Sequence, residues 1–385
     1  MRKFRVAVVG CGALAHQAHL PNCQKNPRVT LACVCDIDKA TAERTMGEFG
    51  AERFETDWRK VVDAKDIDVC VLATHTNLRG DFIVPALEAG KAVYTEKPLA
   101  PSRDEMLRIV QAARKTKRPV CVGHNRRSSP AMLEFRRLVM KARQGVSPLK
   151  PSVDRSEGQP ALPEERTMQV LMRVNDDVRS WKQWIFWDAE GILFSEMVHF
   201  IDIGLWLNPS PPIKVYTEGS ARGNFTMVMR HQDASVTTLQ HSMVGSFDYP
   251  KELFEATVNF NTVAMDQHLE VRQAGMPDEA ALKTFPHLFD GKPAPRPGMT
   301  GYMQTLAEET ARVAKTGGKP RWQNVEKGHY QHLDRFLTHV EGKGENPCDV
   351  DSAVVVNRIA LKFLESSRLG LPVSVGPEDW HIPGA

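Results

Sequence analysis

The chain has 385 residues, 42% of them apolar and 25% charged, with 26 Gly and 25 Pro. This is the composition of a globular protein rather than of a disordered, collagenous or membrane one. The 50 Lys plus Arg against 47 Asp plus Glu leave a formal charge of +3. That balance is too small to argue for nucleic acid, so a small molecule is the expected partner. No run approaches 18 uncharged apolar residues, so neither a signal peptide nor a membrane span is expected. The seven cysteines (11, 23, 33, 35, 70, 121, 348) include no C-x-x-C pair and mostly lie in Val/Ile-rich stretches. They read as reduced thiols of a cytoplasmic protein, with neither disulfides nor a metal site.

In chain order, residues 3–9 form an apolar strand, followed by a tight turn and a helix over 14–25. Strands at 29–35, 69–73, 92–95 and 119–122 alternate with helices at 39–49, 82–89 and 103–116, the last opened by a Ser102-x-x-Glu105 capping box. This alternation predicts a doubly wound parallel sheet over residues 1–125. A helix over 130–142 and a Pro- and charge-rich insertion over 147–165 follow. Strands are then expected at 168–174, 213–217, 226–230, 235–242, 254–260 and 268–272, around a very apolar helix at 192–207. After a Pro/Gly-rich loop over 286–298 come two more helical stretches and a short strand at 372–375. Residues 126–385 thus read as an α+β domain with a mostly antiparallel sheet.

Gly10-Cys-Gly12-Ala13-Leu14-Ala15 is G-x-G-x-x-A between a strand and a helix, where the backbone approaches a pyrophosphate. Asp36, directly after the second strand, is placed to accept hydrogen bonds from ribose hydroxyls and to repel a 2′-phosphate, so NAD is favoured over NADP. Glu96-Lys97-Pro98 follows a strand at the carboxyl edge of the same sheet. Lys97 there is either a solvated lysine or an ammonium that stabilises a developing alkoxide and relays its proton. A cis Lys97-Pro98 bond is expected. At 100° per residue, Ser195, Glu196, His199 and Asp202 fall on one arc of the apolar helix, so His199 is a candidate base or, equally, part of a solvent face.

These motifs, with Gly123-His124-Asn125-Arg126-Arg127-x-x-Pro130, resemble the glucose-fructose oxidoreductase, inositol dehydrogenase and MocA (Gfo/Idh/MocA) family. Arg335-Phe336, Asn346-Pro347, Asp351-Ser352, Ser366-Ser367 and Gly370-x-Pro372-Val373 extend the resemblance over nearly the whole chain. It implies a Rossmann domain plus an open-sheet α/β domain, bound nicotinamide dinucleotide, and sugar or polyol chemistry. It places Gly10, Gly12, Ala13, Leu14, Ala15, Asp36, Thr74, His75, Asn77, Glu96, Lys97, Asn125 and Arg127 at the cofactor. His199 falls on the family's catalytic histidine. Ser195 stands where the family commonly has Asp, and Met197 where it has Gly; Glu196 is then the nearest replacement acid. Thr74-His75-Thr76-Asn77-Leu78-Arg79 departs from the family's Thr-Pro-Asn-x-x-His.

Arg173, Asn175, Asp176 and Arg179, with Trp181, Trp184, Phe186 and Trp187, suit sugar hydroxyls and faces, although packing explains such a Trp cluster equally well. His124 and His241 are pocket candidates by position only, a satisfied structural histidine being the preferred reading of each. Three functions follow as expectations. The first is an NAD-dependent dehydrogenase of a sugar or cyclitol secondary alcohol. The second is a redox-neutral glycosidase that oxidises transiently, and the third a non-catalytic NAD sensor. A homodimer or homotetramer, formed through the second domain's sheet, is also expected from the resemblance.

Overall fold

The computed structural model describes residues 3–145, 147–148, 167–180 and 191–382. Its packing divides the chain into two compact units, 1–128 with 328–358 and 382–385, and 129–327 with 359–381.

The first unit is built on β1 (Phe4–Val9), β2 (Val29–Cys35), β3 (Arg53–Glu55), β4 (Val69–Leu72), β5 (Ala92–Thr95) and β6 (Val120–Val122). Their order is β3-β2-β1-β4-β5-β6, and all neighbours are parallel. The order reverses beside β1, which makes its carboxyl end the switch point where such sheets bind ligands. Strands buried on both faces need continuous apolar runs, and Val6 to Val9 and Val69 to Leu72 are buried throughout; on one face Val6, Val8, Val34, Val69, Val71 and Tyr94 join Leu333, Phe336 and Leu337 in one core. Those last three come from the helix His329–Val340, far along the chain.

Local differences from the sequence reading have local causes. The first helix begins with a π turn over Ala15–His19 before Leu20–Lys25. Strand β3 and the helix Trp58–Asp63 have no counterpart in the reading, because a three-residue edge strand with no buried residue carries no apolar run. The capping box is half-formed. Ser102 Oγ accepts the Glu105 N–H at 3.3 Å, while Glu105 Oε1 accepts the Gly80 N–H at 2.6 Å and so serves the neighbouring helix Arg79–Glu88.

The second unit carries a nine-stranded sheet. It comprises β7 (Gln169–Asn175), β8 (Pro212–Gly219), β9 (Phe225–His231), β10 (Val236–Ser242), β11 (Glu252–Val258), β12 (Asn261–Asp266), β13 (Glu270–Ala274), β14 (Leu282–Thr284) and β18 (Val373–Ser374). The order is β14-β13-β12-β11-β7-β10-β9-β8-β18. Pairing is antiparallel except between β7 and β10. The expected loop at 286–298 holds β15 (His287–Phe289) and β16 (Lys292–Pro293), which form a small sheet with β17 (Gln323–Val325). No described helix is long and apolar enough to cross a membrane.

The single helix expected over 192–207 is two, Gly191–Ser195 and Val198–Leu207. Between them the Met197 N–H reaches back five residues to Ile192 O at 3.2 Å. The arc drawn through Ser195, Glu196, His199 and Asp202 assumed an unbroken 100° step, so it does not hold across this joint. Trp181, Trp184, Phe186, Trp187 and most of the 147–165 insertion lie outside the described residues.

Candidate functional site

The strand ends of the first unit hand over to one another along one edge. Gly10 N–H bonds Cys35 O, Ala73 N–H bonds Val9 O and Gly123 N–H bonds Thr95 O, each at 2.8 Å, and Glu96 N–H bonds Leu72 O at 3.0 Å. The Gly10 turn, Thr74, Glu96 and His124 therefore follow successive strands of one sheet. Gly10 has φ +92°, and a Cβ there would lie 2.7 Å from Ala73 O and 3.0 Å from the Thr74 side chain. Only glycine fits. Gly12 faces open space, and Gly12, Ala13 and Leu14 are exposed while Ala15 is buried. This leaves a bare strip of backbone ready for a pyrophosphate. Asp36 is fixed against the turn, Oδ2 accepting the Cys11 N–H at 2.9 Å and Oδ1 the Asp38 N–H at 3.0 Å. Beside it Ile37 is 90% exposed, an apolar side chain held in water that the sequence reading passed over. His75 and Asn77 are exposed on the loop after β4, and Thr74 is part-buried.

Glu96 and Lys97 end β5, and the Lys97-Pro98 bond is cis. Glu96 is 6% exposed and accepts a hydrogen bond from His19 Nε2 at 2.9 Å. Burial alone would push its carboxyl up. The His19 hydrogen bond and the charges of His19, Lys97 and Arg79 outweigh it, bringing Glu96 down to about 2. Arg79 is buried, and its guanidinium donates to the carbonyls of Glu96, Lys97 and Pro98 and, at 3.3 Å, to Thr74 O. Desolvation lowers it to about 10, opposed by Glu96 and Glu105. Neither His19 nor Arg79 gives a local sequence signal as a site residue, since their partners lie 77 and 17 positions away.

His124 is buried at the end of β6, and Asn125 and Arg127 are buried in the 3₁₀ turn Asn125–Ser128. That turn is anchored by Arg335, which donates to Arg127 O at 3.2 Å and to Ser128 Oγ at 3.0 Å. His332 braces it from below: its Nε2 donates to Val122 O at 3.0 Å, and its Nδ1 accepts from Ser128 Oγ at 2.9 Å.

In the second unit, Ser195 Oγ donates to Gly191 O at 3.0 Å, in its own helix. His199 is 5% exposed and Glu196 9%. Glu196 meets Lys251 Nζ at 3.6 Å, and the same ammonium meets Asp176 Oδ1 at 3.0 Å. His241 Nδ1 donates to Gly223 O at 2.5 Å, and its Nε2 lies 3.4 Å from Asp176 Oδ2. Asp176, Glu196, His241 and Lys251 thus form one charged cluster. Lys251 is the member the sequence reading missed, since a lysine after a proline at a strand start reads as solvated. Arg173 lies over the Tyr249 ring at 4.9 Å, and Asn175 Nδ2 donates to Ser246 O at 2.7 Å.

Residues 4–124 match the family model described as oxidoreductase family, NAD-binding Rossmann fold (GFO_IDH_MocA). An inositol 2-dehydrogenase of Saccharopolyspora erythraea is 32% identical over 182 residues, covering 46% of this chain and 53% of that protein. The match thus spans about half the relative's length. The uncharacterized oxidoreductase YrbE of Bacillus subtilis is 21% identical over 386 positions, 97% of each chain. Among solved structures, an oxidoreductase domain protein from Kribbella flavida superposes with TM-score 0.73 at 19% identity, covering 98% of this chain and all of that one. The WlbA dehydrogenase of Bordetella pertussis, crystallised with NADH and UDP-GlcNAcA, superposes with TM-score 0.69 at 16% identity over 97% and 99%. At such identities the structural likenesses establish the fold.

Proposed function

Because residues 4–124 match the Gfo/Idh/MocA oxidoreductase family model, we propose that the chain is a member of that family and an NAD-dependent dehydrogenase acting on a secondary hydroxyl of a sugar, cyclitol or derivative. The observation that carries this reading is the carboxyl edge of the first sheet. There a glycine that admits no side chain, a ribose-directed carboxylate at Asp36 and the Glu96-Lys97 turn follow successive strands. These residues fit a dinucleotide, with the backbone of Gly10 to Leu14 cradling its phosphates. NAD held there would supply the hydride acceptor. Lys97 polarises the substrate oxygen and stabilises it as charge develops, and His199 receives the hydroxyl proton. Thr74, His75, Asn77, Asn125 and Arg127 are assigned to the cofactor; His124, Arg173, Asn175, Trp184 and Ser195 are assigned to the substrate.

A second reading, redox-neutral cleavage of a glycoside, is favoured by one feature. With Ser195 turned into its own helix, the acid beside His199 in sequence is Glu196, held by Lys251. Proton NMR in heavy water with NAD and a panel of free sugars, cyclitols and aryl glycosides separates the two. Stoichiometric NADH with a keto product supports the dehydrogenase. Released aglycone with NAD unconsumed and deuterium on the neighbouring carbon supports the second. Lys97→Ala should cost about 10²-fold or more in turnover under either reading, and an unchanged rate would leave only a sensor.

For assembly, we assign a second copy of this chain to the nine-stranded sheet. Its strands alternate buried with part-exposed residues, and the latter include Leu171, Val228 and Leu253. Light scattering at the monomer mass of 43.1 kDa would sink that assignment.

A further inference from the structure

The first unit contains a buried acid–base pair that the proposed chemistry does not use directly. His19 and Glu96 have side chains 3% and 8% exposed and meet at 2.9 Å. Charged or strongly polar groups are costly to bury unless they are paired, as these two are. Both ends of the pair are tied to functional backbone. His19 closes the π turn Ala15–His19, which follows immediately on the Gly10–Leu14 strip. A π turn inserts one residue into the helical register and so changes the direction of the side chains after it. Glu96 precedes Lys97, and its Oε2 accepts the Lys97 backbone N–H at 3.3 Å.

The surroundings are shaped around this carboxylate. A Cβ on Gly123 would lie 2.9 Å from Glu96 Oε1 and 3.1 Å from Oε2, so the glycine leaves the space that the carboxylate fills. The Tyr94 ring packs edge-on against the His19 ring at 5.6 Å. On the other side, Arg79 gathers the carbonyls of Glu96, Lys97 and Pro98. The turn carrying Lys97 is therefore held at its carbonyls by Arg79 and at its amide by Glu96, and Glu96 is held in turn by His19.

We propose that His19 is a positioning residue for Lys97. Through Glu96 it links the helix of the dinucleotide turn to the lysine loop, so that filling the phosphate strip changes the setting of the Lys97 amine before any nicotinamide reaches it. The proposal rests on the reading of Gly10–Leu14 as a dinucleotide site, and it does not depend on which substrate is oxidised.

ADP is the probe, because it fills the phosphate strip but carries no nicotinamide that could touch Lys97. Lysines of the full chain are reductively methylated with ¹³C, and the Lys97 signal is identified by its loss in Lys97→Arg. Wild type should show a shift of that signal at ADP saturation. His19→Gln, which keeps a hydrogen-bond donor but not the imidazole, should bind ADP within a few-fold by calorimetry and show no shift. In turnover, His19→Gln should lower kcat about tenfold or more, with KM for NAD changed only a few-fold. Absence of a shift in wild type with ADP bound, or the same shift in His19→Gln, overturns the proposal. If His19→Gln does not fold, Glu96→Gln reports on the same link and must also abolish the shift. Failure of ADP to bind wild type at all would instead remove the dinucleotide reading beneath it.

Discussion

The ammonium of Lys251 lies 3.0 Å from Asp176 Oδ1, a carboxylate with no exposed surface. Burial pushes the Asp176 carboxyl up, but the His241 contact and the Lys251 charge outweigh it and hold the group below the ordinary carboxylate range. A depressed carboxyl contributes stability that is present above its unfolded value and is lost as pH falls through the folded one. Lys251→Met removes the cation and leaves Asp176 and Glu196 facing each other in a poorly solvated place. The expected cost is about 3 kcal/mol at pH 7, shrinking as pH falls, because the variant's buried carboxyls take up protons above the ordinary carboxylate range. Urea unfolding of both proteins at pH 7 and pH 4 checks this. A difference that stays constant with pH would show that Lys251 acts by packing alone.

Asp36 should decide between the two nicotinamide dinucleotides. Its carboxylate is held by the Cys11 and Asp38 amides, and a 2′-phosphate would approach it as a like charge. Asp36→Ala is expected to raise KM for NAD about tenfold or more while relieving the penalty against NADP, so the NAD/NADP ratio of kcat/KM falls by both effects. Ile37→Asp should weaken NAD and NADP alike, since the exposed Ile37 side chain offers an apolar face and makes no distinction at the ribose. Should Asp36→Ala keep the wild-type cofactor ratio, the ribose hydroxyls are read elsewhere.

How much of this was legible in the sequence depended on whether the signal was local. Strands β1, β2 and β5 and the helix Lys39–Phe49 stand within a residue of their expected limits, because apolar runs and flanking turns mark them. The hairpin β11–β12 was hidden. Its two-residue turn, Asn259-Phe260, has φ of 50° and 61°, the geometry normally announced by Asn-Gly. An aromatic residue there reads as continued strand, so the expected strand runs on to 260 and β12 has no counterpart in the reading. Likewise His268, at φ 58°, sits in a turn and not at the head of β13. In the site, the Gly10 turn and the cis Lys97-Pro98 bond follow from neighbouring residues. His19, Arg79 and Lys251 matter through partners distant in the chain, and no spacing rule announces those.

His332 gives the first unit a defined acid limit. It donates to Val122 O and accepts from Ser128 Oγ, so the neutral ring satisfies both partners. Burial lowers its value from 6.5 to about 3. Below about pH 6.5 the unfolded chain takes up a proton that the folded ring refuses. Stability from this residue is therefore complete above that pH and falls as pH drops toward 3, at up to about 1.4 kcal/mol per pH unit. His332→Gln should be less stable than wild type at pH 7, with the gap narrowing at pH 4.5. Parallel stability curves for the two proteins would show that the ring takes up its proton as readily in the fold as in the unfolded chain.

Ser129, His268 and Glu252 stand in an order that resembles a nucleophile, a base and an acid. Ser129 Oγ lies 2.8 Å from His268 Nδ1, and His268 Nε2 lies 3.1 Å from Glu252 Oε2. Two facts argue against catalysis. All three residues are at most 1% exposed, and the Ser129 hydroxyl already donates to Glu326 O at 2.9 Å. Glu252 also meets Lys327 Nζ at 2.5 Å, so the line of contacts ends in an ion pair that fixes the segment after β17. Its role is to hold the start of the helix Pro130–Gln144 against β11 and that segment, all within the second unit. Ser129→Ala should leave turnover unchanged and cost about 1–3 kcal/mol in unfolding. Glu252→Gln, which strands Lys327 beside a neutral amide, should cost about 3–5 kcal/mol. A fluorophosphonate that labelled Ser129 in the native protein would contradict this, because only a reachable and activated hydroxyl reacts in that way.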